Sequence, residues 1–127
     1  GEKGEVAKAG LIHFSTLLTE STDGGRTWTM PRSLGYGSPP HLLRHSSGAL
    51  LLTYGYRTPG YGQRVGISHD DGQSWEWDCI IRDEAPDWDL GYPSTVELAD
   101  GSLFTVYYQK FAAGEHCSLL WSRWQLP

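Results

Sequence analysis

The chain is poor in methionine and contains no long run of apolar residues. Met30 is the only methionine among 127 residues, and the chain begins with Gly1, so we expect a processed product or an excised fragment of a longer protein. No apolar run approaches the about 20 residues that a transmembrane helix needs, and no secretory signal peptide is recognisable. We therefore expect no membrane partner.

Basic residues are also few. Lys and Arg number 10 against 15 Asp and Glu, which gives a formal net charge of -5. A surface that binds nucleic acid needs an excess of positive charge to neutralise phosphates. The composition therefore argues against nucleic acid as the main partner.

Cysteine and histidine are too scattered to indicate a metal site or a disulfide framework. Cys79 and Cys117 are the only two cysteines, and two buried thiols are favoured over a disulfide, which is left open. The five histidines show no metal-ligand spacing, and there is no phosphate-binding loop, Ser/His/Asp motif or Cys/His motif. We therefore expect no metal and no cofactor.

Glycine and aromatic residues, in contrast, are abundant. The chain contains 16 Gly and 6 Trp, and aromatic residues make up 13% of it. Aromatic side chains bury large areas and argue against disorder, whereas many glycines and few long helix formers favour short strands and tight turns. Since no segment has a helical pattern, the sequence predicts an all-β fold.

An eight-residue pattern, Ser-x-Asp-x-Gly-x-(Thr/Ser)-Trp, occurs twice, over 21–28 and again 47 residues later over 68–75. The Asp can accept backbone N–H bonds, the Gly can adopt a positive φ, and the Trp can fold back onto the turn. Each copy lies between two strand-like runs, so we expect two hairpin turns with structural roles. The residues assigned to these turns are Ser21, Asp23, Gly25, Thr27 and Trp28, and Ser68, Asp70, Gly72, Ser74 and Trp75.

A longer repeat relates residues 40–54 to residues 93–107, at an offset of 53. Both copies predict a strand, a hairpin containing glycine, and a second strand. After the first copy we expect strands over 64–68 and 75–81. After the second copy we expect one strand over 118–124, followed by the end of the chain.

Units of about 45–55 residues with four antiparallel strands are typical of β-propeller blades. We therefore predict a single partial propeller domain over 1–127. Residues 11–34 form the outer half of one blade, 39–82 a full blade, and 91–127 an incomplete last blade. A blade buries its faces only against its neighbours. We therefore expect either further blades in a longer chain or a homo-oligomer that associates through open blade edges.

The repeated octet is similar to the Asp box of sialidases and related proteins with bacterial neuraminidase repeats. Residues 42–64 resemble the strands that lead to an Asp box in this family, and residues 90–94 and 119–124 resemble its C-terminal end. The resemblance implies the C-terminal portion of a six-bladed sialidase-like propeller. Asp boxes also occur in proteins without sialidase activity, so the octets alone do not imply a reaction.

The family resemblance implies a glycoside hydrolase that removes a terminal sialic acid or a related acidic sugar from a glycan. Such a substrate carries a carboxylate on the anomeric carbon, which arginines can bind in bidentate fashion. That charge would repel a carboxylate nucleophile, whereas a tyrosine activated by a glutamate avoids the repulsion. An aspartate supplies the acid and base functions in this scheme.

Three positions match groups that the family needs. Arg64 is the expected carboxylate-binding residue, Arg57 is the alternative, and Tyr92 is the expected catalytic nucleophile at the start of an innermost strand. In the competing structural interpretation, Tyr92 caps a strand and Arg64 is a solvated edge residue. The other arginines, the acid Asp and the Glu partner of the nucleophile would lie upstream of this chain.

Two residues of the last blade depart from that scheme. Gln109 stands where the family often has a glutamate, and a neutral amide cannot orient an arginine by charge. Glu97 is five residues from Tyr92, which places it on the opposite face of the strand. A non-catalytic carbohydrate-binding propeller and an assembly module therefore remain alternatives to an enzyme.

Overall fold

The computed structural model describes residues 14–127, which form nine β-strands in three antiparallel sheets of two, four and three strands. These residues contain no helix, and therefore none long and apolar enough to cross a membrane. The all-β prediction is confirmed for this part of the chain. The described chain divides into two compact units, 14–37 and 38–127.

The first unit is a single hairpin. Strand β1 (Ser15–Leu18) pairs with β2 (Arg32–Tyr36), and the first octet lies in the segment between them. The hydroxyl of Thr16 donates to the carbonyl oxygen of Gly37 at 2.7 Å, which fixes the end of the hairpin. The half-blade predicted over 11–34 begins with residues 11–13, which lie outside the described residues.

In both octets the aspartate carboxylate closes the turn. Asp23 Oδ1 accepts from the N–H of Thr27 at 2.9 Å, and Asp70 Oδ1 accepts from the N–H of Ser74 at 2.8 Å. In each turn, the hydroxyl of the same Thr or Ser donates to the other carboxylate oxygen. The two turns are therefore built by the same local hydrogen bonds.

The tryptophans of the two octets fold back onto their turns but differ in burial. Trp28 Nε1 donates to Gly25 O, and Trp75 Nε1 donates to Gly72 O, both at 3.1 Å. Trp28 is 60% exposed. Trp75 is half-buried and stacks on Trp77, with the ring centroids 5.2 Å apart.

We expect the turn at Asp70 to respond to acid. The Ser74 hydroxyl, followed by the Ser74 N–H, lowers the pKa of Asp70 from 3.8 to about 2. Because the pKa is lower in the folded state, this stabilisation is complete above pH 3.8 and is lost as the pH falls through about 2. The Ser74 amide resonance should titrate with a midpoint near that lower value. In Asp70→Asn it should not titrate, and a wild-type midpoint at the ordinary Asp value would refute the assignment.

The second unit contains two sheets that follow the chain in simple order. The larger sheet has the order β3-β4-β5-β6, and the smaller has the order β7-β8-β9. Strand β7 packs against β3 and β4 of the larger sheet. The strand bounds are β3 Pro40–Arg44, β4 Leu50–Tyr56, β5 Gly62–Ser68, β6 Glu76–Arg82, β7 Gly91–Glu97, β8 Leu103–Gln109 and β9 Ser118–Trp124.

One hydrophobic core joins the two sheets of the second unit. Leu103 of β8 is fully buried in a cluster with side chains of the larger sheet. Beside the core, the hydroxyl of Thr95 donates to that of Thr53 at 3.2 Å and lies 2.9 Å from that of Thr105. The apolar partners of Leu103 are Ala49, Leu51, Val65 and Ile67.

Both cysteines are free thiols. Cys79 lies in β6 and is half-buried, whereas Cys117 lies in the loop before β9 and is exposed. The prediction of two buried thiols is therefore wrong for Cys117, because that residue precedes the strand instead of packing within it.

The strand directions give the second unit two distinct ends. The turns 45–49, 69–75 and 98–102 lie at one end, which we call the hairpin end. The opposite end, which we call the loop end, carries the connections 57–61, 83–90 and 110–117. The Asp70 turn therefore lies at the hairpin end, away from the start of β7.

Candidate functional site

Tyr92 lies at the loop end, as the second residue of β7. The register between β7 and β8 shifts between Gly91 and Ser94, and Tyr92 has a φ of 50°. Such a β-bulge redirects a side chain, and a tyrosine at positive φ is an uncommon feature that favours a functional role. The side chain of Tyr92 is 67% exposed.

Arg57 follows β4 and places its guanidinium beside Tyr92. The Arg57 Cζ atom lies 5.8 Å from the centroid of the Tyr92 ring, within the range of a cation–π contact. Arg57 Nε donates to Ser38 O at 3.1 Å, and Nη1 donates to Trp88 O at 3.4 Å. These two acceptors are uncharged main-chain carbonyls, and they fix the direction of the guanidinium.

Two glycines allow the strands that carry Arg57 and Tyr92 to approach closely. A Cβ atom at Gly55 would lie 2.7 Å from Ser38 O and 3.2 Å from the Cα atom of Gly91. Only glycine permits such an approach between backbones. Since Arg57 is two residues after Gly55 and Tyr92 directly follows Gly91, this contact brings the two functional candidates together.

Tyr108 forms an aromatic wall behind Tyr92. The two ring centroids are 5.8 Å apart, and the ring planes are tilted by 34°. The Tyr108 hydroxyl donates to Asp89 Oδ1 at 3.0 Å. Burial, followed by this hydrogen bond, raises the pKa of the Tyr108 phenol above its ordinary value. Tyr108 is therefore a protonated donor at neutral pH.

Lys110 connects the acidic loop before β7 to the end of β8. Its Nζ atom lies 3.0 Å from Asp87 Oδ2 and 3.6 Å from Asp89 Oδ2. The Lys110–Asp87 hydrogen bond raises the pKa of the ammonium group and lowers that of the carboxyl group. Asp87 also accepts the N–H of Asp89 at 2.9 Å. These contacts hold loop 83–90 against the end of β8, where Tyr108 lies.

Arg64 is placed differently from Arg57. It lies within β5, is only 6% exposed, and stacks over the ring of Tyr56. Its guanidinium donates to the carbonyl oxygens of Gly60, Arg82 and Gln63 at 2.6, 2.9 and 3.3 Å. Arg64 thus ties main-chain segments together, and it is Arg57 that contacts Tyr92.

Glu97 lies at the hairpin end, away from Tyr92. Its carboxylate accepts from the N–H of Ser46 at 2.9 Å and from the Ser46 hydroxyl, and it lies 3.2 Å from His45 Nε2. These contacts link β7 to the turn of the larger sheet. The Glu97 carboxylate therefore contacts Ser46 and His45, and none of these contacts involves the Tyr92 phenol.

Gln109 is buried at the loop end and pairs with a second glutamine. Its Oε1 accepts from Gln63 Nε2 at 3.3 Å, and its Nε2 donates to Asp83 O at 3.2 Å. The Oε1 atom of Gln63 is buried and has no hydrogen-bond partner among the described residues. Gln109, which the predicted resemblance to sialidases compares with a glutamate, is therefore an uncharged, buried amide.

The sequence interpretation missed Tyr108, Asp89 and Lys110, although one signal pointed to Tyr108. In a hairpin centred on the 98–102 turn, residues at equal distances from the turn face each other, which places Tyr108 opposite Tyr92. The structure keeps Tyr108 in this region, paired with Gly91 because of the bulge. No local signal indicated that Asp89 and Lys110 approach each other. Residues 14–127 contain no group of three or more His, Cys, Asp or Glu side chains that could hold a metal ion.

No family model matches the chain, and no curated protein matches it. A solved structure does match: the crystal structure of a protein of unknown function from Dyadobacter fermentans DSM 18053, with 28% identity and a TM-score of 0.81. The match covers 91% of this chain but 32% of the other chain. This chain therefore spans about a third of the length of that neighbour.

The site as a whole is an exposed tyrosine beside a fixed guanidinium, backed by a second aromatic ring. A guanidinium can form two parallel hydrogen bonds to a carboxylate, and a phenol ring can pack against the apolar face of a sugar. The arrangement suits a small ring-shaped ligand that carries a negative charge.

Proposed function

We propose that this chain is part of a sialidase-like β-propeller and contributes Arg57 and Tyr92 to a site for terminal sialic acid or a related acidic sugar. The observation that carries the proposal is the contact between the Arg57 guanidinium and the exposed Tyr92 ring. A guanidinium would bind the carboxylate of the sugar, while the phenol oxygen faces the anomeric carbon next to that carboxylate. The contacts of Arg64 favour Arg57 as the carboxylate-binding residue.

The sheet arrangement supports the propeller. The larger and smaller sheets run through the chain in the same strand order, and an octet connects β1 to β2 and β5 to β6. The match to the Dyadobacter fermentans structure covers 91% of this chain but 32% of the other chain, so that neighbour is long enough to contain further blades of this size.

In the complete ring, we propose that the reaction proceeds with retention at the anomeric carbon. As the Tyr92 oxygen bonds to that carbon and the glycosidic bond breaks, the phenol proton passes to a glutamate base outside this chain, and an acid outside this chain protonates the leaving oxygen. Water then attacks the same carbon and gives its proton to the conjugate base of that acid, while the tyrosyl–sugar bond breaks and the protonated glutamate returns the proton to Tyr92. The positive charge of Arg57 holds the substrate carboxylate through both steps.

The isolated chain should not turn over substrate. In this proposal, the acid Asp, the Glu partner and the further arginines that the reaction requires belong to the part of the propeller outside this chain. We expect no release of 4-methylumbelliferone from a 4-methylumbelliferyl sialoside by the pure 127-residue chain. If release exceeded the rate of a heat-denatured sample, the assignment of the remaining catalytic groups to a part of the protein outside this chain would be wrong.

Sialoside binding tests the proposed function of Arg57. The methyl α-glycoside of sialic acid should bind the chain, and Arg57→Gln should weaken binding by at least about tenfold because a charge-assisted pair is lost. Arg123→Gln is the matched control, since Arg123 pairs with Asp100 beside the hairpin end. Calorimetry should also show that methyl β-galactoside, which has no carboxylate, binds much more weakly. Equal affinity in wild type and Arg57→Gln would exclude the proposed role.

A carbohydrate-binding propeller without catalysis is the second candidate. The buried Gln63–Gln109 amide pair favours it, because it leaves an uncharged group where the related enzymes often have a carboxylate. In that case, sialoside binding would survive Tyr92→Phe, and a longer protein that contains this chain would bind the sialoside without hydrolysing it. Hydrolysis that disappears in Tyr92→Phe of the longer protein would instead establish the enzyme.

A further inference from the structure

We propose that Asp89 and Tyr108 form a positioning pair that fixes the orientation of Tyr92 beside Arg57. The juxtaposition consists of the Tyr108 hydroxyl on Asp89 and the Tyr108 ring against Tyr92. The identity of the ligand rests on the proposed function above. The positioning role itself rests on contacts within the chain and can be tested without any ligand.

Asp89 contacts polar side chains of β8 and of the loop that follows it. Its Oδ1 accepts the Tyr108 hydroxyl at 3.0 Å, while Lys110 Nζ and Cys117 Sγ lie 3.6 and 3.5 Å from Oδ2. Lys110 also binds Asp87 in the same loop at 3.0 Å. The Asp89 carboxylate therefore connects loop 83–90 to the end of β8 and to the loop that follows β8.

The contacts of Asp89 lie close to Tyr92 in the chain. Asp89 precedes Tyr92 by three residues, and Leu90 between them is fully buried. Tyr92 itself is mostly exposed and sits on a β-bulge, so regular strand pairing does not fix its side chain. The ring of Tyr92 packs against the ring of Tyr108.

Asp89 and Tyr108 position Tyr92 and do not themselves serve as the nucleophile. Asp89 Oδ1 already accepts a hydrogen bond from the Tyr108 hydroxyl, and the Tyr108 side chain is half-buried beside the exposed ring of Tyr92. The Tyr108 hydroxyl is thereby used to hold its own ring in one orientation. Removing either the hydroxyl or the carboxylate charge should release the Tyr108 ring and change the surroundings of Tyr92.

The test uses tyrosine labelled with carbon-13 at Cζ in the full chain, observed by NMR. Tyr108→Phe and Asp89→Asn should each shift the Tyr92 resonance. Tyr107→Phe is the matched control for the first variant, because Tyr107 is the neighbouring residue and its hydroxyl lies 2.7 Å from Ser122 Oγ. Asp100→Asn is the control for the second, because Asp100 accepts the Ser102 hydroxyl at the hairpin end. Both controls should leave the Tyr92 resonance in place.

The same samples should bind the methyl sialoside about fivefold to tenfold more weakly in the two test variants than in the controls. In Asp89→Asn, the Tyr108 resonance should also titrate at lower pH than in wild type, since the Asp89 contact raises the pKa of Tyr108. Tyr108→Phe removes a single oxygen atom, so it keeps the test available if Asp89→Asn fails to fold.

A Tyr92 resonance that stays unchanged in a folded Tyr108→Phe variant would overturn the positioning role. Sialoside binding in wild type that is equally strong in both test variants would overturn it as well. If the Tyr92 resonance shifts as expected but wild type binds no sialoside, the positioning pair is supported and the proposed function fails.

Discussion

Leu103→Ala should lower the free energy of unfolding by about 3 kcal/mol, which is typical of a leucine truncated in a well-packed core. Leu103 is completely buried and belongs to the apolar cluster that it shares with the larger sheet, against which Trp124 of the smaller sheet also packs. Its loss leaves a cavity at the contact between the sheets. Urea denaturation followed by tryptophan fluorescence measures the change.

The two sheets of the second unit should respond to Leu103→Ala together. Because they share one core, amide hydrogen exchange should accelerate in β4 as well as in β8. Leu119→Ala is the matched control, since Leu119 is 80% exposed, and its effect should stay within about 0.5 kcal/mol. A loss below about 1 kcal/mol for Leu103→Ala, or faster exchange confined to β8, would show that the sheets do not share a core.

Gly55→Ala should cost about 2–3 kcal/mol and should also disrupt the candidate site. The added Cβ would lie 2.7 Å from Ser38 O, a backbone atom that cannot rotate away. The strands that carry Gly55 and Gly91 must then separate, which moves Tyr92 away from Arg57. Urea denaturation and calorimetric titration with the methyl sialoside would measure the two effects.

Gly48→Ala separates the steric effect at Gly55 from the general effect of replacing a glycine. A Cβ at Gly48 meets nothing within 4 Å, although its φ of 95° makes alanine strained there. We expect a cost of about 1 kcal/mol from the backbone alone and unchanged sialoside affinity. If folded Gly55→Ala binds the sialoside as tightly as Gly48→Ala, the close approach of the strands does not create the site.

The sequence predicted the strands and turns well because their signals are local. The strand predicted over 118–124 coincides with β9, and those predicted over 64–68 and 75–81 lie within two residues of β5 and β6. The Asp-containing octets determine their own turns, since the hydrogen bonds of Asp23 and Asp70 remain within each octet. Such contacts depend little on the rest of the fold.

The surroundings of the candidate site could not be predicted in the same way. Arg64 and Arg57 are both arginines near a strand end, and the backbone contact between Gly55 and Gly91 decides which of them meets Tyr92. That contact joins two strands far apart in the chain. The approach of Lys110 to Asp89 depends likewise on how two long loops pack, for which the sequence offers no periodic signal.

The decisive measurement is an NMR titration of the nitrogen-15-labelled chain with the methyl α-glycoside of sialic acid. Signals from the loop end should shift in a saturable manner, including the amides of Gly91 and Tyr92 and the side-chain Nε–H of Arg57. Signals from the turns 45–49, 69–75 and 98–102 should remain in place. Shifts confined to those turns, or no saturable shift at Arg57 and Tyr92, would show that the loop end is not an acidic-sugar site.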